Sequence, residues 1–290
     1  MVIISLEELH LYHKIDREIF SRLVIKLLRD PAESLLVMAL WLWLEDKGYA
    51  NIILKMTTLP DPIVNAVADE AVRCLKCLET TTSRVLLSGG GGLPLTAKIL
   101  QTQISLQTFT QHRFTTISGI KIFLNNVCAR IFTDILQRVL AAGPSQMRTD
   151  QPLVIPGFPH PLFGALTVVT QPMDNDLIST TELWGWHPTN EISEDDRTMF
   201  LTFSRGFPVS EEEVRELFTE MFGNCVEGVH MGNVSSNSNN ITNDQQQPLY
   251  ARMILKSVTT VDQILDGRHI SKFRINGKHI WARKYERRDQ

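Results

Sequence analysis

Apolar positions along this chain follow two rhythms. Over residues 1–142 they recur at helical spacing, and from Arg197 onward the period switches repeatedly between two and about 3.6, as it does where strands alternate with helices. In the first half, Asp16 can cap a helix with Ile19, Phe20, Leu23, Val24, Leu27 and Leu28 on one side. Asp30-Pro31-Ala32-Glu33 is a helix start with proline in the first turn. It leads into the apolar run Leu35–Leu44, which contains Trp41-Leu42-Trp43 and stops at Glu45, Asp46 and Gly48. That run is half the ~20 residues a membrane span needs, so the pattern predicts a core helix enclosed by others. Further helices are expected from Asp61-Pro62 to Leu78, over Leu93–Leu106 and over Ile117–Leu140, with a break at Gly89–Gly92.

In the last third, Met199, Leu201 and Phe203 alternate with Phe200 and Thr202, a strand with one buried and one open face. Ser210 and Glu213 form a capping box for a helix with Val214, Leu217, Phe218 and Met221 on one face, ended by Gly223. Cys225–Met231 reads as a second strand. Leu249–Leu255 reads as a third, with Ala251, Met253 and Leu255 facing one way and Tyr250, Arg252 and Ile254 the other. Thr259 or Thr260 can cap a second helix carrying Val261, Ile264 and Leu265 and closing at Gly267. Asn276-Gly277 then turns into a last strand, His279–Arg283. The order β-α-β-β-α-β predicts a ferredoxin-like plait, four antiparallel strands with two helices. The expected fold class is therefore α+β: a helical domain over 1–142, a Pro-rich connector over 143–195 and the plait over 196–290.

Residues 196–288 resemble the RNA-recognition-motif family. Its six-residue signature, apolar-aromatic-apolar-x-Asn-Leu, maps to Met199-Phe200-Leu201-Thr202-Phe203-Ser204. Its eight-residue signature, Lys/Arg-Gly-aromatic-Gly/Ala-aromatic-apolar-x-aromatic, maps to Pro248-Leu249-Tyr250-Ala251-Arg252-Met253-Ile254-Leu255. Its last-strand pattern maps to Gly277-Lys278-His279-Ile280-Trp281-Ala282. The chain departs from the family at Phe203-Ser204, at Pro248-Leu249 and at Arg252, which stands where a second stacking aromatic is usual. The Trp-Leu-Trp run of the first half, taken with the ending Gly277–Tyr285, also resembles a plant group of proteins with this motif. That second resemblance adds architecture and no activity.

The resemblance implies recognition of single-stranded RNA in the nucleus or cytoplasm. Such recognition needs flat π-faces for bases and cations for the backbone. Alternation places Phe200, Thr202, Tyr250 and Trp281 on one open face with Arg252 and Arg283, and Lys278, Lys284, Arg287 and Arg288 are the expected phosphate contacts. Charge adds a direction. The chain holds 29 Lys+Arg against 32 Asp+Glu, but residues 191–249 balance to −8 and residues 250–290 to +6. A basic sheet edge and tail can follow a phosphate backbone, and a charge run can equally be a solvated face.

A competing expectation uses the other side of the same fold. Some relatives of the family bind a Trp-containing basic peptide through an acidic first helix and an Arg-x-Phe just after the second. Glu211, Glu212, Glu213, Glu216 and Glu220 supply the acidic helix, and Arg268 is in place, with Ile270 where the Phe would be. In the RNA reading the helical first domain would recruit or hold a protein partner.

Other motifs carry less. Cys74-Leu75-Lys76-Cys77 lies in a helical setting without a second pair, so zinc and redox chemistry are not expected. The four cysteines (74, 77, 128 and 225) fit free thiols. Ser88–Gly92 lacks the Lys-Ser/Thr of a phosphate loop. His10 and His13 have no acidic or third ligand in the pattern, and His160 sits in a Pro-rich loop. No nucleophile meets a base, so neither an enzyme nor a cofactor is expected. The segment 232–248 is polar and nearly uncharged and reads as a loop. Leu183-Trp184-Gly185-Trp186-His187-Pro188 can pack on the helical domain, lie across the sheet or bind another protein.

Overall fold

The computed structural model describes residues 3–49, 51–79, 92–141, 153–166, 168, 178–179, 192–204, 208–232 and 248–287. The chain is α+β and divides into two compact units, residues 1–110 with 116–191 and residues 111–115 with 192–290. The expectations for Gly89–Gly91, for the Trp184–Trp186 segment, for 233–247 and for Arg288 lie outside the described residues.

The first unit is mostly helical. Its elements include α1 (Leu6–Tyr12), α2 (Lys14–Ser21), α3 (Pro31–Asp46), α4 (Ile52–Thr57), α5 (Asp61–Glu79) and α6 (Pro94–Leu100). They are followed by α7 (Leu106–Gln111), α8 (Arg113–Phe123), α9 (Ala129–Ile131) and α10 (Thr133–Ala141), with residues 111–115 counted in the second unit. Asp30 caps α3 by accepting from the Glu33 N–H at 2.8 Å, and α3 is buried from Ala32 to Leu44 save Glu33. Gly119 of α8 is a close-approach site, because a Cβ there would stand 2.1 Å from the Trp43 ring.

Several helix expectations are corrected. Asp16 does not cap a helix; it lies inside the first turn of α2 and accepts from the His13 ring at 2.6 Å. The sequence pattern had supplied no acidic partner for that imidazole. The helix expected to run through Leu28 ends earlier, in a π-turn at Arg22–Lys26, and leaves Leu28 at φ +52° and 82% exposed. The single helix expected over Ile117–Leu140 is broken by a second π-turn, Leu124–Cys128. Leu93–Leu106 is interrupted at Gln101, with φ +55°. At the start of the domain where only helix was expected, β1 (Ile3–Ile4) pairs antiparallel with β2 (Ile178–Ser179) of the connector. Among the described residues no helix is long and apolar enough to cross a membrane.

The second unit runs β3 (Thr198–Phe203), α11 (Glu211–Phe222), β4 (Val226–Gly232), β5 (Tyr250–Leu255), α12 (Val258–Leu265), β6 (Ile270–Ile275) and β7 (Lys278–Lys284). The sheet is antiparallel with order β4-β5-β3-β7-β6, so it has five strands where four were expected. The added strand is β6. It joins β7 through Asn276-Gly277, whose φ values of +46° and +80° suit a two-residue type I′ hairpin turn. Ser210 and Glu213 form the capping box of α11, and Gly223 ends it at φ +77°. Ser257, not Thr259 or Thr260, caps α12, its hydroxyl accepting from the Thr259 N–H at 3.2 Å.

Between the sheet and its helices lies one apolar core. It includes Met199, Leu201, Ala251, Met253, Ile280 and Ala282 from the strands and Val214, Phe218, Val261 and Ile264 from the helices. Phe273 of β6 joins it edge-on to Phe218 at 5.1 Å. Residues 111–115 are held in this unit by the Asp262 carboxylate. It accepts from the Phe114 and Thr115 N–H groups at 2.9 Å each and from the Thr115 hydroxyl at 2.7 Å. Burial pushes the Asp262 carboxyl upward, and these donors oppose that.

Candidate nucleic-acid interface

Opposed residues in an antiparallel sheet project from the same face. The register therefore assembles two rows across all five strands. The first is His230, Arg252, Phe200, Arg283 and Ile270; the second is Gly232, Tyr250, Thr202, Trp281 and Lys272. Arg274 and His279 pair on the same side at the hairpin end. This face carries no carboxylate at any of these positions, and it lies opposite the helices that cover Met199, Leu201 and Ala282.

The rows contain aromatic and cationic groups already in contact. Phe200 stacks on Tyr250 with centroids 5.4 Å apart and planes 21° from parallel, while the Arg283 guanidinium stands 4.6 Å from the Phe200 centroid. Arg252 lies 5.8 Å from the Tyr285 ring. Trp281 is flanked by the Lys272 ammonium at 5.6 Å and by the His279 ring at 5.9 Å. Tyr250 remains 37% exposed, and Phe200 and Trp281 are half-buried. Each aromatic or cation–π pair of this kind contributes about 0.5–1.5 kcal/mol, enough to bias the orientation of an exposed ring. Gly232 matters to that bias. A Cβ at this position would lie 2.1 Å from the Tyr250 ring, so the absence of a side chain lets the ring lie across β4.

Six of the residues singled out from the sequence, Phe200, Thr202, Tyr250, Arg252, Trp281 and Arg283, thus share one face. Lys278 and Lys284 do not join them. They alternate with His279, Trp281 and Arg283 along β7 and share the helix side with Ile280 and Ala282. The Lys278 ammonium donates to both Glu213 carboxylate oxygens, at 2.7 and 2.8 Å, so it closes an internal ion pair. Hydrogen bonds from Lys278, then from Asn276 and the Ser210 N–H, hold the Glu213 carboxyl down at about 2. Lys284 donates to the carbonyls of Asp195, Thr198 and Tyr285. Arg287 is exposed beyond the last strand, 3.8 Å from the Asp195 carboxylate. Ile254, expected on the open face, is on the parity of that face but buried, as is its partner Thr198.

The cations that do reach the open face beside Trp281 are Lys272 and Arg274, and both come from β6. The sequence reading missed them with their strand. Their signal was partly there, since Lys272 and Arg274 alternate with Phe273 and Ile275.

Chemistry elsewhere is sparse. Among the described residues no group of three or more His, Cys, Asp or Glu side chains is placed to hold a metal ion. All four cysteines are buried free thiols, and burial pushes those of Cys74, Cys128 and Cys225 upward, away from the reactive thiolate. No protein-family model, curated protein or solved structure matches this chain.

Proposed function

We propose that the second unit is an RNA-recognition-motif-type plait that binds short single-stranded RNA on its open sheet face. The observation that carries the reading is the pair of cross-strand rows, in which Phe200 and Tyr250 stand beside Arg252 and Arg283 and no carboxylate intervenes. Aromatic faces accept bases of any sequence, and guanidinium or ammonium groups between them meet the backbone. One stacked base is worth ~1–3 kcal/mol, so a set this small gives weak, salt-sensitive binding. The peptide-binding alternative draws less support. Ile270 lies in the open-face row against Arg283, on the side of the sheet away from the acidic helix, and Glu213 of that helix is already paired with Lys278.

The test uses the full chain, with labelled short RNAs of mixed sequence followed by fluorescence anisotropy at low salt. Phe200→Ala combined with Tyr250→Ala should weaken binding roughly tenfold or more. Unchanged affinity in that double variant removes the sheet as the site, and equal binding of DNA oligomers of the same length removes the assignment to RNA.

A further inference from the structure

The open face holds two aromatic–cationic clusters, not one. Tyr250, Phe200 and Arg283 form the first, centred on β5 and β3. Trp281, Lys272 and His279 form the second, on the β6–β7 hairpin. Strands lie ~4.8 Å apart, so the centres of the two clusters are separated by roughly two strand spacings, on the order of 10 Å. Neither Lys272 nor Arg274 has an ion pair with a carboxylate among the described residues. The buried His279 Nδ1 has no hydrogen-bond partner among the described residues. The contrast with Lys278, on the same hairpin and fully engaged with Glu213, is chemical as well as geometric. The helix side of β7 uses its cation for stability, whereas the open side of β6 sets its cations beside an indole with no carboxylate paired to them among the described residues.

We propose that the β6–β7 hairpin is a second nucleotide subsite, in which Trp281 stacks one base of a single-stranded RNA and Lys272 and Arg274 hold the adjoining phosphates. This rests on the RNA reading of the central cluster and extends its footprint onto the fifth strand. The hairpin suits the task because its two-residue turn fixes the register of Lys272 opposite Trp281 and of Arg274 opposite His279. A bound strand then runs from Tyr250 across Phe200 to Trp281, and its affinity grows in two stages with length.

The experiment measures full-chain binding to labelled oligouridylates lengthened one nucleotide at a time, across a series of salt concentrations. Lys272→Gln with Arg274→Gln changes two exposed side chains, and far-UV circular dichroism checks that the fold is kept. This variant should bind the shortest ligands as the unsubstituted chain does and lose roughly tenfold for the longer ones. Its dependence of log K on log salt should also be shallower by about 1.4, the release expected from two phosphate contacts to a single strand. Trp281→Ala should remove the second stage of the length dependence. If the hairpin variants match the unsubstituted chain at every length while Phe200→Ala with Tyr250→Ala weakens binding, the second subsite is overturned and the central reading stands. If no variant alters binding, or nothing binds, both fall.

Discussion

Glu213 joins the start of α11 to the last strand, and removing its charge should show what that junction is worth. Its side chain accepts from the Ser210 N–H in the capping box, takes a two-oxygen contact from Lys278 and accepts from the Asn276 amide. Glu213→Gln preserves the capping bond, since Gln also closes a capping box, and removes the charge from the contact with Lys278. The carboxyl is displaced from an ordinary 4.5 to about 2. At about 1.4 kcal/mol per pH decade this sets a ceiling of about 3 kcal/mol. With 21% and 19% of the two side chains exposed, solvent screening reduces the expected loss to about 1–2 kcal/mol. Glu213→Ala also loses the cap and should cost about 1 kcal/mol more. Because the folded value is depressed, the stabilisation is present above 4.5 and lost as pH falls from there toward about 2. The difference between the unsubstituted chain and Glu213→Gln should therefore close over that interval. Hydrogen exchange at graded urea, read on peptides covering Glu211–Phe222 and Lys278–Lys284, isolates this unit from the first. A Glu213→Gln variant as stable as the unsubstituted chain near neutral pH would refute the reasoning. RNA affinity should be unmoved, because the freed Lys278 is on the helix side.

Gly232→Val should displace the Tyr250 ring and weaken RNA binding several-fold with the sheet intact, as checked by anisotropy beside circular dichroism. Gly119→Ala drives a methyl into the Trp43 ring and should destabilise the first unit by about 1–3 kcal/mol, measured as a lower urea midpoint for exchange in α3 and α8. Asp262→Ala leaves the Phe114 and Thr115 N–H groups without their acceptor, costing about 1–3 kcal/mol, and exchange at those amides should accelerate. The four buried thiols should resist a thiol-reactive dye in the native protein and all react in urea.

Much of the second unit was legible because its elements obey local rules. The capping box at Ser210 and Glu213, the glycine stop at Gly223 and the alternation around Phe200 and Tyr250 each follow from a few neighbouring residues. The fifth strand was not legible because its pattern is broken. Ser271 takes the buried position where an apolar residue is expected, and Ile270 faces outward at 47% exposure. Lys278 and Lys284 lie apart from the open-face residues for a simpler reason. The parity that turns Trp281 outward turns them inward, and charge alone carries no parity. Ser257 displaced the two threonines as cap because three hydroxyl residues in four positions offer equivalent chemistry. In the first unit, the π-turns at Arg22–Lys26 and Leu124–Cys128 leave the spacing of apolar residues almost unchanged, so periodicity could not reveal them. Asp262 meets Phe114 and Thr115 across a sequence separation of about 147 residues, where no local signal reaches.

The added strand has a consequence for self-association. As the outermost strand among the described residues, β6 presents one side of its backbone without a neighbouring ladder, which is a template for pairing with another chain. Charged side chains on such an edge oppose that pairing, because two copies would bring like charges together. Lys272 and Arg274 occupy alternate positions along it, next to the outward Ile270. Lys272→Val with Arg274→Val would join Ile270, Phe273 and Ile275 into an almost continuous β-branched and aromatic edge, and the chain should then form sheet-extended dimers or fibrils. Resistance to pairing at this edge thus depends on the same two cations that stand on the open face of the sheet.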